Sequence, residues 1–138
     1  MTTAVMTGGC NCGAVRFELR AAFVDAGYCH CGRCQRRTGA AASPAGIVPA
    51  EAFAFVAGAE HVRSWEPEGG WPKAFCGLCG SHLYAGDPAA GGTLGVRLGA
   101  VDGDPGIRPR WHQWVASAPA WEALPDDGLP RYDGPRPS

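Results

Sequence analysis

Seven cysteines in 138 residues fall into three groups. Cys10 and Cys12 lie in GGCNCG, Cys29, Cys31 and Cys34 in GYCHCGRCQRRTG (27–39), and Cys76 and Cys79 in FCGLCG. A disulfide between such near neighbours is strained, and an odd number leaves one thiol over. Metal ligation is the chemistry that uses thiols at this spacing. C-x-x-C between glycines is a zinc knuckle, because the glycines let backbone N–H groups turn toward two thiolates and offset their charge. C-x-C serves the same end where a bulge or turn breaks the strand alternation, which Gly8, Gly9 and Gly13 permit.

The two pairs assemble most simply on one metal. Cys10, Cys12, Cys76 and Cys79 then form a closed tetrahedron of thiolates, which suits structural zinc. Closing the intervening loop of about 63 residues costs roughly 4 kcal/mol. Zinc binding at folded cysteine-rich sites contributes on the order of 10–16 kcal/mol, so the metal outweighs the separation. The triplet Cys29, Cys31 and Cys34 is left by itself. Three thiolates and an open fourth position make a reactive, more labile zinc, and the open position is where a small molecule binds. Spacing leaves two alternatives standing. Cys10 and Cys12 can join Cys29 and Cys31, leaving Cys76 and Cys79 spare. The triplet can also be structural, closed by a protein side chain. His30 is nearest, but between two ligands in extended backbone it points to the opposite face.

An open zinc suits a small thiol. A free thiol with a pKa near 8.5 is only a few per cent ionised at pH 7, and ligation fixes the thiolate form. That thiolate can add to a small aldehyde, or release one in reverse. Arg33, Arg36 and Arg37 flank the triplet. They suit the carboxylates of a tripeptide thiol, or they screen a negative metal site, or they are plain solvated surface. The alternative to an enzyme is a non-catalytic module, a zinc-stapled scaffold that engages a protein or carries a thiol adduct. Among the remaining candidates, His112 is read as a packed or surface histidine, with a proton shuttle in a cleft as the alternative. His82 is expected to hydrogen-bond near the knuckle, and His61 to be an exposed strand residue. The five tryptophans are expected in the core, and Asp102 and Asp104 in turns.

The elements that position these residues are short. Glycine (21) and proline (12) are spread along the chain rather than repeated. Strands are expected over 14–20, 23–29, 52–58, 61–66, 73–76, 81–86, 93–101 and 110–117. A single helical turn is expected over 32–39, closed by Gly39, and another over 49–53. One domain is expected over 1–138, mainly β, with 124–138 a surface tail that frays at its end. The net charge of −1 and the absence of any basic run argue against nucleic acid. No apolar stretch of about 18 residues marks a membrane span. The N-terminal MTTAVMTGGC lacks the basic and apolar regions of a signal peptide, so a cytoplasmic location is expected, where seven thiols point to metal rather than disulfides.

The ordered motifs G-G-C-x-C-G-x-V-R-F (8–17), C-H-C-x-x-C-x-x-x-x-G (29–39) and F-C-x-x-C-G-S (75–81) resemble the glutathione-dependent formaldehyde-activating enzymes, a domain shared with centromere protein V. The closing segment 108–134 is similar too, so the resemblance covers residues 5–134. It implies small stacked antiparallel sheets with zinc at the apex, a β-tent. It implies that Cys10, Cys12, Cys76 and Cys79 share the structural zinc, and that Cys29, Cys31 and Cys34 carry a second, catalytic one. The implied activity is condensation of glutathione with formaldehyde to S-hydroxymethylglutathione, carbon–sulfur lyase chemistry. Where family members often carry a lysine before the closing alanine and tryptophan, this chain reads ASAPAW (116–121).

Overall fold

Alternation in AVRFELR becomes a short strand with Phe17 and Leu19 fully buried and Arg16 and Glu18 turned outward. It is one of ten strands that the computed structural model describes across residues 4–137. These are β1 (Met6–Gly9), β2 (Arg16–Leu19), β3 (Asp25–Cys29), β4 (Ser43–Pro49), β5 (Phe53–Ala57), β6 (Val62–Trp65), β7 (Lys73–Cys76), β8 (His82–Ala85), β9 (Thr93–Arg97) and β10 (His112–Gln113). One helix, α1 (Gly32–Thr38), follows β3.

The strands form two sheets. One has three strands in the order β1-β2-β5, the other seven in the order β10-β3-β4-β9-β8-β7-β6. The core lies between them. Phe53 stacks on Phe17 of the small sheet at 5.0 Å and packs at 4.9 Å against Tyr84 of the large one. Val48, Leu83, Leu94 and Val96 fill the large-sheet side. Each such buried side chain stabilises by about 1.5–3 kcal/mol. Phe17→Ala, which empties the centre of this contact, costs about 3–5 kcal/mol.

The fold is mainly β, as expected, but the larger sheet is not small, and β10 pairs with β3 in parallel. No strand was expected where β4 lies, and it carries Pro44 and Pro49, residues disfavoured inside a sheet. The geometry evades that rule at Pro44. Tyr28 faces Pro44 but donates its N–H to the Trp111 carbonyl, so this pair is not hydrogen-bonded. The Pro44 nitrogen therefore points the other way, past Arg97, where β9 ends. The expected strands over 93–101 and 110–117 stop early, at Arg97 and Gln113, and give way to 3-10 turns at Leu98–Ala100 and Val115–Ser117.

The tail lies at the surface but is strapped down. His112 donates its N–H to the Pro130 carbonyl, Tyr132 donates back to His112, and Trp114 donates to Gly134. The Arg136 guanidinium sits 4.7 Å over the Trp111 ring. Of the tryptophans only Trp111 is buried; Trp65, Trp71, Trp114 and Trp121 are exposed. No helix among the described residues is long and apolar enough to cross a membrane.

Candidate metal centres

The first two cysteines sit on the turn that follows β1, the last two on the turn between β7 and β8. Glycine closes each turn in the left-handed region that other residues avoid: Gly13 and Gly80 both have φ of 80°. The turns bring Cys10, Cys12, Cys76 and Cys79 together, with all four sulfurs within 4.8 Å of one another. Two of the sulfur separations are 3.5 Å (Cys10–Cys12) and 3.9 Å (Cys12–Cys76). A tetrahedron with Zn–S bonds of about 2.3 Å has edges of about 3.8 Å, so the donor set fits zinc. Backbone donors support the thiolate form: Val15 N–H reaches Cys10 Sγ at 3.2 Å and Leu78 N–H reaches Cys76 Sγ at 3.4 Å. Ser81 joins the two turns. Its hydroxyl accepts from Asn11 N–H at 2.9 Å and lies 3.1 Å from Cys79 Sγ. That hydroxyl and the Ser81 backbone bring the Cys79 thiol down to about 5.

The second group forms where β3 runs into α1. Cys29 is the last residue of β3, Cys31 caps the helix, and Cys34 lies in its first turn. Cys31 Sγ accepts from Cys34 N–H at 3.4 Å, an N-cap made by a thiol instead of the usual hydroxyl or carboxylate. The three sulfurs lie within 4.8 Å of one another, and no further histidine, cysteine or carboxylate ligand atom joins them among the described residues. Hydrogen bonds from Cys29 and Cys34 hold the Cys31 thiol far below its usual value, and Cys34 is pushed up by Cys29 and Cys31. The helix is anchored at both ends. Gln35 Nε2 donates to the carbonyls of His30 and Ser117, and Gly39 N–H returns to the Gln35 carbonyl.

His30 points away from the triplet, as its place between two ligands requires. It is buried, and its Nε2 lies 2.8 Å from His112 Nδ1. His112 is buried in turn, with Nε2 2.8 Å from Asp127 Oδ2. His82 lines a cavity together with Cys10, Asn11 and Ser81 of the cysteine turns and with Arg97. His61 lies in a 3-10 turn rather than a strand, 3.5 Å from Glu60. Asp102 takes hydrogen bonds from Thr7 and Arg16, and Asp104 pairs with Arg108.

The three arginines of α1 part company. Arg33 donates to the Glu68 carbonyl at 2.7 Å, Arg36 is exposed, and Arg37 is half-buried toward the sheet. Two basic residues that the sequence did not single out, Lys73 and Arg97, lie near the triplet and interact electrostatically with Cys31 and Cys34. The only signal for Arg97 was a charge inside the apolar run LGVRLGAV.

The model of the glutathione-dependent formaldehyde-activating enzymes matches residues 5–117. The chain belongs to that family. A Halomonas elongata protein, provisionally named a glutathione-dependent formaldehyde-activating enzyme, is 27% identical over 124 residues, covering 85% of this chain and 79% of its own. A crystal structure of a Rhodobacter sphaeroides protein superposes with a TM-score of 0.59 at 25% identity, covering 92% of this chain and 99% of that one. The glutathione-dependent formaldehyde-activating enzymes are zinc-binding proteins, and both cysteine groups of this member could hold a metal ion.

Proposed function

We propose that the chain is a zinc-dependent enzyme of carbon–sulfur bond chemistry acting on a small thiol, with glutathione and formaldehyde as the reference substrates. The observation that carries this reading is the triplet itself: three thiols converge, and among the described residues no fourth protein ligand meets them. In this reading Cys10, Cys12, Cys76 and Cys79 hold a structural zinc, and Cys29, Cys31 and Cys34 hold a second. When bound at the triplet, zinc supplies a Lewis acid that keeps an incoming thiol ionised.

The protein's own part is to position and to hold charge. The cap of α1 fixes Cys31 against Cys34, and Gln35 ties the helix to the 115–117 turn. The ligand geometry is thus set by short backbone links rather than by flexible side chains. The reaction forms one bond and adds no redox step. A sulfur lone pair makes the carbon–sulfur bond, the carbonyl π pair moves to oxygen, and that oxygen takes up a proton equal to the one the thiol lost. The cytoplasm, where glutathione is abundant and thiols stay reduced, suits this chemistry.

The test is the rate of S-hydroxymethylglutathione formation, followed by NMR exchange, with protein of measured zinc content. The expected result is acceleration over the spontaneous reaction that tracks the second zinc. Two zinc ions per chain with no acceleration would instead support the non-catalytic module.

A further inference from the structure

His30 stands between two members of the triplet, and its ring turns into the core. In extended backbone Cys29 and Cys31 share one face and His30 takes the other, where it is buried. The backbone there is held by the β10 segment and by α1. Tyr28 donates its N–H to the Trp111 carbonyl at 2.9 Å, His30 donates its own to the Gln113 carbonyl at 3.0 Å, and the His30 carbonyl accepts from Gln35 Nε2 at 2.8 Å. The ring is held at one atom. Its Nε2 meets His112 Nδ1 at 2.8 Å, and its Nδ1 has no hydrogen-bond partner among the described residues.

The contact with His112 leads out to the closing segment. His112 bridges Arg131 in parallel, donates its N–H to the Pro130 carbonyl and accepts from the Tyr132 N–H. Asp127 ends the chain of contacts with both carboxylate oxygens engaged. Oδ2 lies 2.8 Å from His112 Nε2, and Oδ1 accepts from the Leu129 N–H at 3.0 Å. Arg131 closes the loop that carries Asp127 by donating to the Pro125 carbonyl at 2.6 Å.

A carboxylate only accepts, so Asp127 fixes the proton of His112 on Nε2 and the lone pair on Nδ1. That lone pair in turn fixes the His30 proton on Nε2. Hydrogen bonding therefore runs in one direction, from buried His30 to partly exposed Asp127. Such a chain is often no more stabilising than apolar side chains of the same shape. What it adds is a single ring orientation. A ring pinned in the core restrains the backbone torsions of His30, and those torsions set where Cys31 lies relative to Cys29. We infer that Asp127 and His112 are positioning residues for the triplet, acting through His30, so that the closing segment sets the metal affinity of that site. The inference deepens the proposed function and rests on it for the second zinc.

The test is zinc affinity, read by titrating the zinc-loaded protein with a chromophoric chelator. The phase that Cys34→Ser removes is assigned to the triplet and is followed while the circular dichroism stays that of the folded chain. Zinc that leaves a folded chain does not report global stability, so a merely structural role would not move this phase. Asp127 is partly exposed, and Asp127→Ala leaves no closed cavity. It is expected to weaken zinc at the triplet by about tenfold, the lower end of what a lost partner behind a ligand costs. Asp127→Asn keeps an oxygen that accepts from His112, so its triplet affinity should lie closer to the parent's. Phe17→Leu, which loosens the core in the small sheet, should melt lower and leave triplet affinity unchanged. If Asp127→Ala melts too low to be titrated folded, His112→Phe, which keeps a ring in the core, is read in its place for the same loss. Triplet affinity equal to the parent's overturns the positioning role, as does an equal loss in Phe17→Leu, and either result leaves the second zinc standing. A parent with no phase that Cys34→Ser removes overturns the second zinc itself, and this role with it.

Discussion

His30 Nε2 and His112 Nδ1 lie 2.8 Å apart, although 82 positions separate the two residues. The contact backs the C-H-C strand from the face opposite the triplet. His112 Nε2–H donates to Asp127, which leaves Nδ1 to accept from His30 Nε2–H. Tyr28 stacks on the His112 ring at 5.0 Å and 15°. His112→Ala removes a fully buried ring and strands the His30 donor. It should cost about 2–4 kcal/mol, read as a lower denaturant midpoint. An unchanged midpoint would show that the contact contributes nothing to the fold.

The same contact predicts a pH effect. The His112 ring N–H and the Leu129 backbone N–H hold Asp127 below the ordinary carboxylate value. Its stabilising contribution is therefore complete above the unfolded value of about 3.9 and is lost as pH falls through the lower folded value. Asp127→Asn cannot titrate, so the stability gap between parent and variant should narrow as the pH drops below that range. A gap that is constant from pH 7 to pH 3 counts against the assignment.

Metal removal should proceed in two phases. The triplet is held by one short segment, Cys29–Cys34, whereas the four-cysteine group joins the β1 turn to the β7–β8 turn. A chelator is expected to take the first zinc with far-ultraviolet circular dichroism unchanged, and the second with unfolding. Cys79→Ser should remove the second phase and lower stability by several kcal/mol, about a third of the folding energy such sites supply. A variant that melts like the parent would mean the four sulfurs do not carry a structural metal.

The grouping of the seven cysteines was legible because thiol spacing is local: each pair or triplet spans at most six residues, and only the pairing of the groups is a long-range fact. β2 was legible for the same reason, through its period of two. β4 was not, because the freedom of Pro44 to sit inside a sheet depends on Tyr28 bonding to Trp111, a contact no local pattern carries. Arg97 was missed for a related reason. Its nearness to Cys29 arises across two strand pairings, β3 with β4 and β4 with β9. Arg33, Arg36 and Arg37 drew attention by sequence proximity, yet only Arg37 turns toward the sheet.

Gly27 tests the packing that flanks the triplet without touching a ligand. A Cβ built there would lie 2.2 Å from the Trp111 ring, far inside contact distance. Trp111 is held by its Nε1–H, which donates to the Asp25 carboxylate at 3.0 Å, and by Arg136 above it. The ring cannot shift without losing those partners. Gly27→Ala should cost about 1–3 kcal/mol and alter tryptophan fluorescence. An unperturbed spectrum and midpoint would show that the ring has room to move.

Cys34→Ser separates the two cysteine groups most directly. Cys34 is buried in the first turn of α1, and serine replaces it with nearly the same volume. Its backbone N–H still caps onto Cys31, and Thr38 still bonds its carbonyl at 2.7 Å. The helix should therefore survive, and the melting temperature should fall by only a few degrees, as about 1 kcal/mol implies. Zinc content should drop by at most one ion per chain, because Cys10, Cys12, Cys76 and Cys79 close their site without it. Two remaining thiolates hold zinc poorly, so acceleration of the thiol–aldehyde reaction should vanish. Glutathione should bind at least tenfold more weakly. Equal glutathione binding by parent and variant would place the thiol elsewhere and leave the non-catalytic module as the better account of the chain.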